Sequence, residues 1–291
     1  MGQSCIAESK MEALILGVAQ DGGVPHLGCE CHNCSDAVHT GLHKCAVSMS
    51  LINSANATPE AWLIDCGPDI KQQWRLLKQH CPKAGVQGVF LTHLHMGHYI
   101  GLYQFGKEAM QSRGLKIFCT PRTAEYLNLN QPWKYCIAQG YFQIMIVAPG
   151  VQVQLGHGLS VTPVEVPHRQ EFSDTVAYSI TGCSGKKLFW CPDIDSWEEW
   201  DLDVREVVES HDMSFLDATF YSPEELKRRD MGDIPHPLIP HTMHKLQGLG
   251  SKVRLIHMNH TNPVWDPRSI QSQELEKQGF QTGVQGSVFT L

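Results

Sequence analysis

No apolar run in this chain reaches the roughly 18 residues that a membrane-spanning helix needs. No secretory signal pattern opens it, so a cytoplasmic location is expected. Long basic runs are absent and the formal net charge is −7, which argues against a nucleic-acid groove. Nothing like a low-complexity linker divides the 291 residues. One domain over 11–291 is therefore expected, after a disordered tail at 1–10. That tail reads Met1-Gly2-Gln3-Ser4-Cys5. A lipid anchor at Gly2 and Cys5 is its weaker reading, because Ile6 stands where the myristoylation motif wants Ser or Thr. The turn Ala19-Gln-Asp21-Gly-Gly-Val-Pro-His26 lacks the G-x-G-x-x-G that opens a nucleotide-binding helix. A tight loop whose backbone approaches a functional centre suits it better.

What is abundant is metal-ligand chemistry: 16 histidines and 11 cysteines. The chain length and the missing signal argue against a disulfide framework. Cys29, Cys31 and Cys34 crowd into Cys29-Glu-Cys31-His-Asn-Cys34. Three thiolate donors at that spacing make most of a structural zinc site and need one more ligand. The second cluster is Thr92-His93-Leu-His95-Met-Gly97-His98. Val89-Phe90-Leu91 before it reads as a buried strand, and the residues after it as a helix start. Two apart on an extended segment, His93 and His95 point the same way and can share one metal. His98 suits a second metal beside the first.

Strands are predicted over 11–18, 46–53, 61–64, 115–119, 142–147, 151–154, 159–166, 175–181, 187–190 and 253–256. Helices are predicted over 70–79, 99–112, 121–128, 204–209, 223–229, 240–246 and 267–278, with Asp69 as N-cap of the first. Such interspersion argues an α/β layered fold. Several predicted strands end directly in a donor: Asp65, His168, Asp193 with Asp195 close behind, and His257.

The His-x-His-x-x-His spacing at a strand end resembles the metallo-β-lactamase superfamily, whose motif is His-x-His-x-Asp-His. The resemblance implies an αββα sandwich. It implies a first metal held by His93, His95 and His168 with a fourth position open, and a second held by His98 and His257. Asp193 would bridge the two, with Asp195 as its rival for that role. Asp65 would shape the site by hydrogen bonding, and Asp21 is expected behind the ligands with it. Within the superfamily the chain is similar to the coenzyme-PQQ synthesis protein B group. That likeness is carried by Leu16–Pro25, the cysteine cluster, Gly88–Leu102, Asp217-Ala-Thr-Phe220, Asp230–Pro237 and His257-Met-Asn-His-Thr-Asn-Pro263. It departs from that group by retaining the motif histidines, so the group's name does not carry a function over. A subfamily typified by a phosphonate-pathway phosphodiesterase pairs such a cysteine cluster with a His three residues past the last catalytic His. That implies a closed structural zinc site of Cys29, Cys31, Cys34 and His260.

Gly97 stands where the motif has Asp. Either the second site is weak and the protein mononuclear, or Asp21, His26 or His236 replaces the missing carboxylate. The expected activity is a metal-dependent hydrolase, in which metal-bound hydroxide attacks a small phosphodiester, ester or lactone. Asp193 would orient the nucleophile, and His236 would contact substrate or protonate a leaving group. Zinc suits these ligands, one ion structural and one or two catalytic, and iron or manganese also accept them. The alternatives are a mononuclear iron oxygenase acting on a thiol or persulfide, and a non-catalytic ligand carrier with an altered second metal site. The partners expected are a small-molecule substrate and, at most, a second copy of the chain in a homodimer.

Overall fold

In a computed structural model that describes residues 11–225, 232 and 234–291, the first strand, β1 (Met11–Gly17), is buried along its whole length. Its alternate side chains enter different layers, as a two-residue period requires. Ala13 and Ile15 join one apolar cluster, and Leu14 and Leu16 another. A strand covered on both faces in this way belongs to a multilayer domain.

The remaining strands are β2 (Ser48–Asn53), β3 (Glu60–Ile64), β4 (Gly85–Phe90), β5 (Leu115–Cys119), β6 (Phe142–Ile146) and β7 (Val153–Gly156). They continue as β8 (Leu159–Glu165), β9 (Val176–Thr181), β10 (Lys187–Cys191), β11 (Met213–Asp217), β12 (Val253–Ile256), β13 (Gln281–Thr282) and β14 (Val288–Thr290). Two seven-stranded sheets result, ordered β14-β1-β2-β3-β4-β5-β6 and β13-β12-β11-β10-β9-β8-β7. In the first, β3 to β6 run parallel. In the second, β10 to β13 do. The helices are α1 (His32–Thr40), α2 (Ile70–His80), α3 (Met96–Tyr99), α4 (Pro121–Leu129), α5 (Trp133–Ala138), α6 (Val204–Glu209), α7 (Ile239–Lys245) and α8 (Ile270–Lys277).

Phe90, Tyr178, Trp190 and Phe215 fill the space between the sheets. Ile70 and Leu77 of α2, Leu127 of α4 and Trp133 of α5 cover the outer face of the first sheet. Val204 and Val208 of α6, Met243 of α7 and Leu275 of α8 cover that of the second. The architecture is the expected αββα sandwich. Its consequence for function lies at one edge. The carboxyl ends of β1, β3, β4, β8, β10, β11 and β12 each lead into a loop bearing a donor, and these loops meet.

Some elements differ from the sequence reading. The helix predicted over 99–112 is instead α3 followed by a 3₁₀ stretch, Ile100–Phe105. Here the backbone is committed elsewhere: His98 O accepts from Cys66 N, and Gly101 N donates to Cys66 O. Asp69 precedes α2 without capping it through its side chain. Its carboxylate accepts from Ala46 N at 2.7 Å and meets His43 Nε2 at 3.0 Å. Helices α1 and α5 and strands β11, β13 and β14 were not predicted. The 1–10 tail with its lipid-anchor reading, and residues 226–229 of the helix predicted over 223–229, lie outside the described residues. Only a 3₁₀ turn at Pro223–Glu225 represents the start of that helix.

Candidate active site

Asp193 is the hub. It follows β10, is 2% exposed, and is ringed by imidazoles. Its Oδ2 lies 3.1 Å from His98 Nε2, 3.2 Å from His257 Nε2 and 3.4 Å from His93 Nε2. Its Oδ1 lies 3.6 Å from His168 Nε2 and 3.5 Å from His236 Nδ1. One carboxylate thus faces two sets of nitrogens. His93, His95, His168 and Asp193 form one group with ligand atoms within 4.8 Å of one another, and Asp21, His98 and His257 form the next. Burial raises the Asp193 carboxyl, but His257 and His168, with the other imidazoles, outweigh it and hold the group well below its ordinary range.

Each ligand histidine offers one nitrogen inward and is held by the other. Asp65 Oδ2 meets His98 Nδ1 at 2.8 Å. Asp195 Oδ1 meets His168 Nδ1 at 2.6 Å. Glu171 Oε2 meets His95 Nε2 at 3.1 Å, leaving Nδ1 of His95 to face His168 Nε2 at 3.1 Å. Thr219 Oγ1 lies 2.9 Å from His257 Nδ1, and Thr92 Oγ1 lies 3.0 Å from His93 Nδ1. Outer partners of this kind fix ring orientation and tautomer at metal sites. The rivalry between Asp193 and Asp195 resolves geometrically. Asp193 faces the imidazoles' inner nitrogens, and Asp195 stands behind one of them. Asp65 and His257 both adopt φ near +60° (62° and 61°), a strained region for residues with a side chain that recurs at functional sites.

His236 sits at the far side. Its Nδ1 meets Asp217 Oδ2 at 2.6 Å. Asp217 also accepts from Thr219 N, Thr219 Oγ1 and Ile194 N, so its carboxylate is fully engaged in orienting neighbours. Burial opposes the charge on His236, but Asp217 and then Asp193 lift its pKa above the ordinary value. Asp217 was visible in the sequence only as part of a resemblance. Thr219 belongs to the same segment, whereas Glu171, which carries no spacing signal, was missed altogether.

Asp21 was expected either behind the ligands or in place of the missing carboxylate. It stands in the row with His98 and His257, its Oδ1 3.5 Å from His98 Nε2. His26 turns away: its ring packs 4.5 Å from that of His260.

At the other end of the same loop, Cys29, Cys31 and Cys34 converge on His260. Their Sγ atoms lie 3.3, 3.5 and 3.6 Å from His260 Nδ1. Asn33 Nδ2 clamps the facing backbone, donating to His260 O and Asn262 O at 2.9 and 3.0 Å. Cys34 lies in the first turn of α1.

The donors fit a metal by their own chemistry. Nε2 of His93, His98, His236 and His257, with Oδ1 of Asp21 and of Asp193, are buried without a hydrogen-bond partner. Buried polar atoms are nearly always paired, and a cluster of orphans in one place needs a compensating ion. Beside this row a cleft of about 950 Å³ runs toward the cysteines, lined by Asp21, Arg169, Phe220, Glu225 and His260 among others.

This fold and this row of histidines and carboxylates define a class. The chain belongs to the β-lactamase superfamily, whose domain profile matches residues 61–266. The chain is similar to coenzyme PQQ synthesis protein B of Nitrosococcus oceani, at 26% identity over 310 residues, covering 94% of this chain and 97% of that protein. It also resembles the crystal structure of zinc-bound PqqB from Methylobacterium extorquens: TM-score 0.80, 22% identity, 96% of this chain and 100% of that one. A diphosphatase from the PhnP family aligns with TM-score 0.71 at 18% identity, covering 97% of both chains. These structural likenesses establish the fold.

Proposed function

We propose that the chain is a zinc-dependent hydrolase of a small phosphodiester, with esters and lactones as the neighbouring substrate classes. The observation that carries this reading is the set of buried, unpartnered imidazole nitrogens converging on the Asp193 carboxylate. His93, His95 and His168 would hold zinc, which when bound would supply Lewis-acid activation of water at neutral pH. Asp193 fixes the spacing of the two ligand groups and accepts hydrogen bonds from whatever donor enters between them. The five outer partners keep each ring aimed. His236, whose pKa Asp217 raises, delivers a proton to the leaving oxygen.

The lean toward a phosphodiester rests on Arg169. It follows His168 directly and lines the cleft. A guanidinium there suits an anionic substrate, since its fork matches phosphate oxygens. The likeness to a PhnP-family diphosphatase supports the same direction.

The test is elemental analysis of the purified chain, followed by a screen of bis(p-nitrophenyl) phosphate and simple lactones with His93→Ala as control. Zinc beyond the structural equivalent, and turnover lost in His93→Ala by about 100-fold or more, are expected. A single zinc equivalent insensitive to His93→Ala, or turnover that this substitution leaves intact, overturns the reading.

A further inference from the structure

Position 97 is closed to any side chain. A Cβ built there would lie 2.0 Å from Asp21 Oδ1, 2.8 Å from Asp21 Cγ and 2.5 Å from Asp21 Cα. The last of these is a backbone clash that no rotamer relieves. Nor does the backbone at Gly97 have room to retreat. Its carbonyl presses on Gly67, where a Cβ would come within 2.0 Å of Gly97 O. The space that a carboxylate from residue 97 would use is filled by the carboxylate of residue 21.

Asp21 arrives there on a pinned loop. Gln20 N donates to Met258 O at 3.0 Å, and Ala19 bridges both Ala46 and Met258. Gly23, at φ +68°, closes the turn with its N donating to Gln20 O at 2.8 Å. The Asp21 side chain is 47% exposed as a whole, yet Oδ1 is buried and without a partner. Facing it are Nε2 of His98 and Nε2 of His257, on rings that are 0% and 1% exposed, and both are also unpartnered. Of the two other candidates, His26 packs against His260, and His236 meets Oδ1 of Asp193, not the Oδ2 that faces His98 and His257.

We infer that Asp21 is a direct ligand of the second metal, completing a set with His98, His257 and the shared Asp193, and that Gly97 is glycine because Asp21 occupies its side-chain space. The chain thus keeps a dinuclear site by moving its carboxylate from the loop after β4 to the loop after β1. This rests on the metal-hydrolase reading above. It adds that the second site is intact and names the residue that makes it so.

Chelator-competition titration of the full-length chain with zinc, counted by elemental analysis, tests it. Wild type binds about three equivalents: one at the cysteines and two in the row. Asp21→Asn, nearly isosteric, weakens one of the row equivalents by about 100-fold and leaves the other two. Gly97→Ala removes no donor, yet weakens the same equivalent by pushing Asp21 aside. Asp21→Asn that binds all three equivalents as wild type does overturns the inference, as does Gly97→Ala with an unchanged titration. A wild-type chain binding only the cysteine-site zinc overturns the hydrolase reading instead, so the two failures are distinct. Should the variants fail to fold, a crystal structure of the zinc-loaded wild type decides: Oδ1 of Asp21 about 2.0–2.2 Å from the second ion supports the assignment. A separation beyond about 3 Å refutes it.

Discussion

Asp65 Oδ2 lies 2.8 Å from His98 Nδ1, and both side chains are fully buried. The same carboxylate accepts from Thr92 N at 2.8 Å and from Thr92 Oγ1 at 2.8 and 3.0 Å, so it ties the end of β3 to the loop after β4. Asp65 and Asp193 hold the His98 pKa well above its ordinary value despite burial, the largest opposing effect. In the metal-free chain, Asp65→Ala strips the buried His98 imidazolium and the buried Thr92 N–H of their partner. We expect a loss of about 3–5 kcal/mol in denaturant unfolding. Asp65→Asn keeps the donors' partner oxygen and tolerates the positive φ, so its stability loss should be much smaller. Both should weaken metal binding by about 10–100-fold. A wild-type unfolding midpoint for Asp65→Ala would refute the role.

The pair of Asp217 and His236 predicts a pH profile. A raised pKa keeps His236 protonated to higher pH, and a general acid works only while protonated. Activity should fall on the alkaline side as pH passes that pKa. Asp217→Asn removes the main attraction, so the falling limb should move to lower pH by about 1–3 units. His236→Gln should cost about 10²–10⁴-fold on substrates with poor leaving groups and much less on p-nitrophenyl esters, whose leaving oxygen needs no proton. Equal losses on both substrate types would exclude proton donation.

Arg169 predicts substrate class. Arg169→Ala should raise KM for a phosphodiester by about 10-fold or more while leaving a neutral lactone nearly unchanged. An equal effect on both would remove the case for an anionic substrate.

The cysteine site predicts proton release and acid sensitivity. Burial pushes the metal-free Cys34 thiol up to about 12, so zinc must displace its proton at neutral pH. Burial and then His26 bring His260 down to about 4, so it contributes no proton there. Calorimetric zinc enthalpies should therefore vary with the buffer's ionisation enthalpy. The sign for the metal-free fold follows from the same shift. Between about pH 6.5 and 4 the unfolded chain protonates residue 260 and the folded chain does not, so stability drops as pH falls through that window. Buffer-independent zinc enthalpies would contradict the protonated thiol.

Cys31→Ser should lower Tm and cost the structural zinc, while the ligands His93, His95 and His168, carried by other loops, retain theirs. Because Asp21 rides on the loop that leads to Cys29, zinc at the second site should weaken along with it. Elemental analysis across increasing chelator separates these outcomes, and a full complement of zinc in Cys31→Ser would count against the four-ligand site.

Much of the fold was legible because its strands are short apolar runs that stop at a polar donor. Lys187–Cys191, Val253–Ile256 and Leu115–Cys119 fall within a residue of their predicted bounds. Strand β11 was not read as a strand, and β13 and β14 are pairs and triplets at sheet edges, too short for a period to show. Helix α1 was hidden by the cysteines that begin it.

The chain's own order determines which strands end in histidine or aspartate, and that is enough to propose metals. It does not determine what stands behind each nitrogen. His95 finds Glu171 76 positions away, and Cys29 finds His260 231 positions away. Those pairings depend on how loops from two sheets meet along one edge. Gly97 shows the limit most directly. In sequence it is a missing ligand. Only the tertiary structure reveals that its missing side chain is the space Asp21 needs, because steric exclusion between residues 21 and 97 exists only once β1 and β4 lie in one sheet.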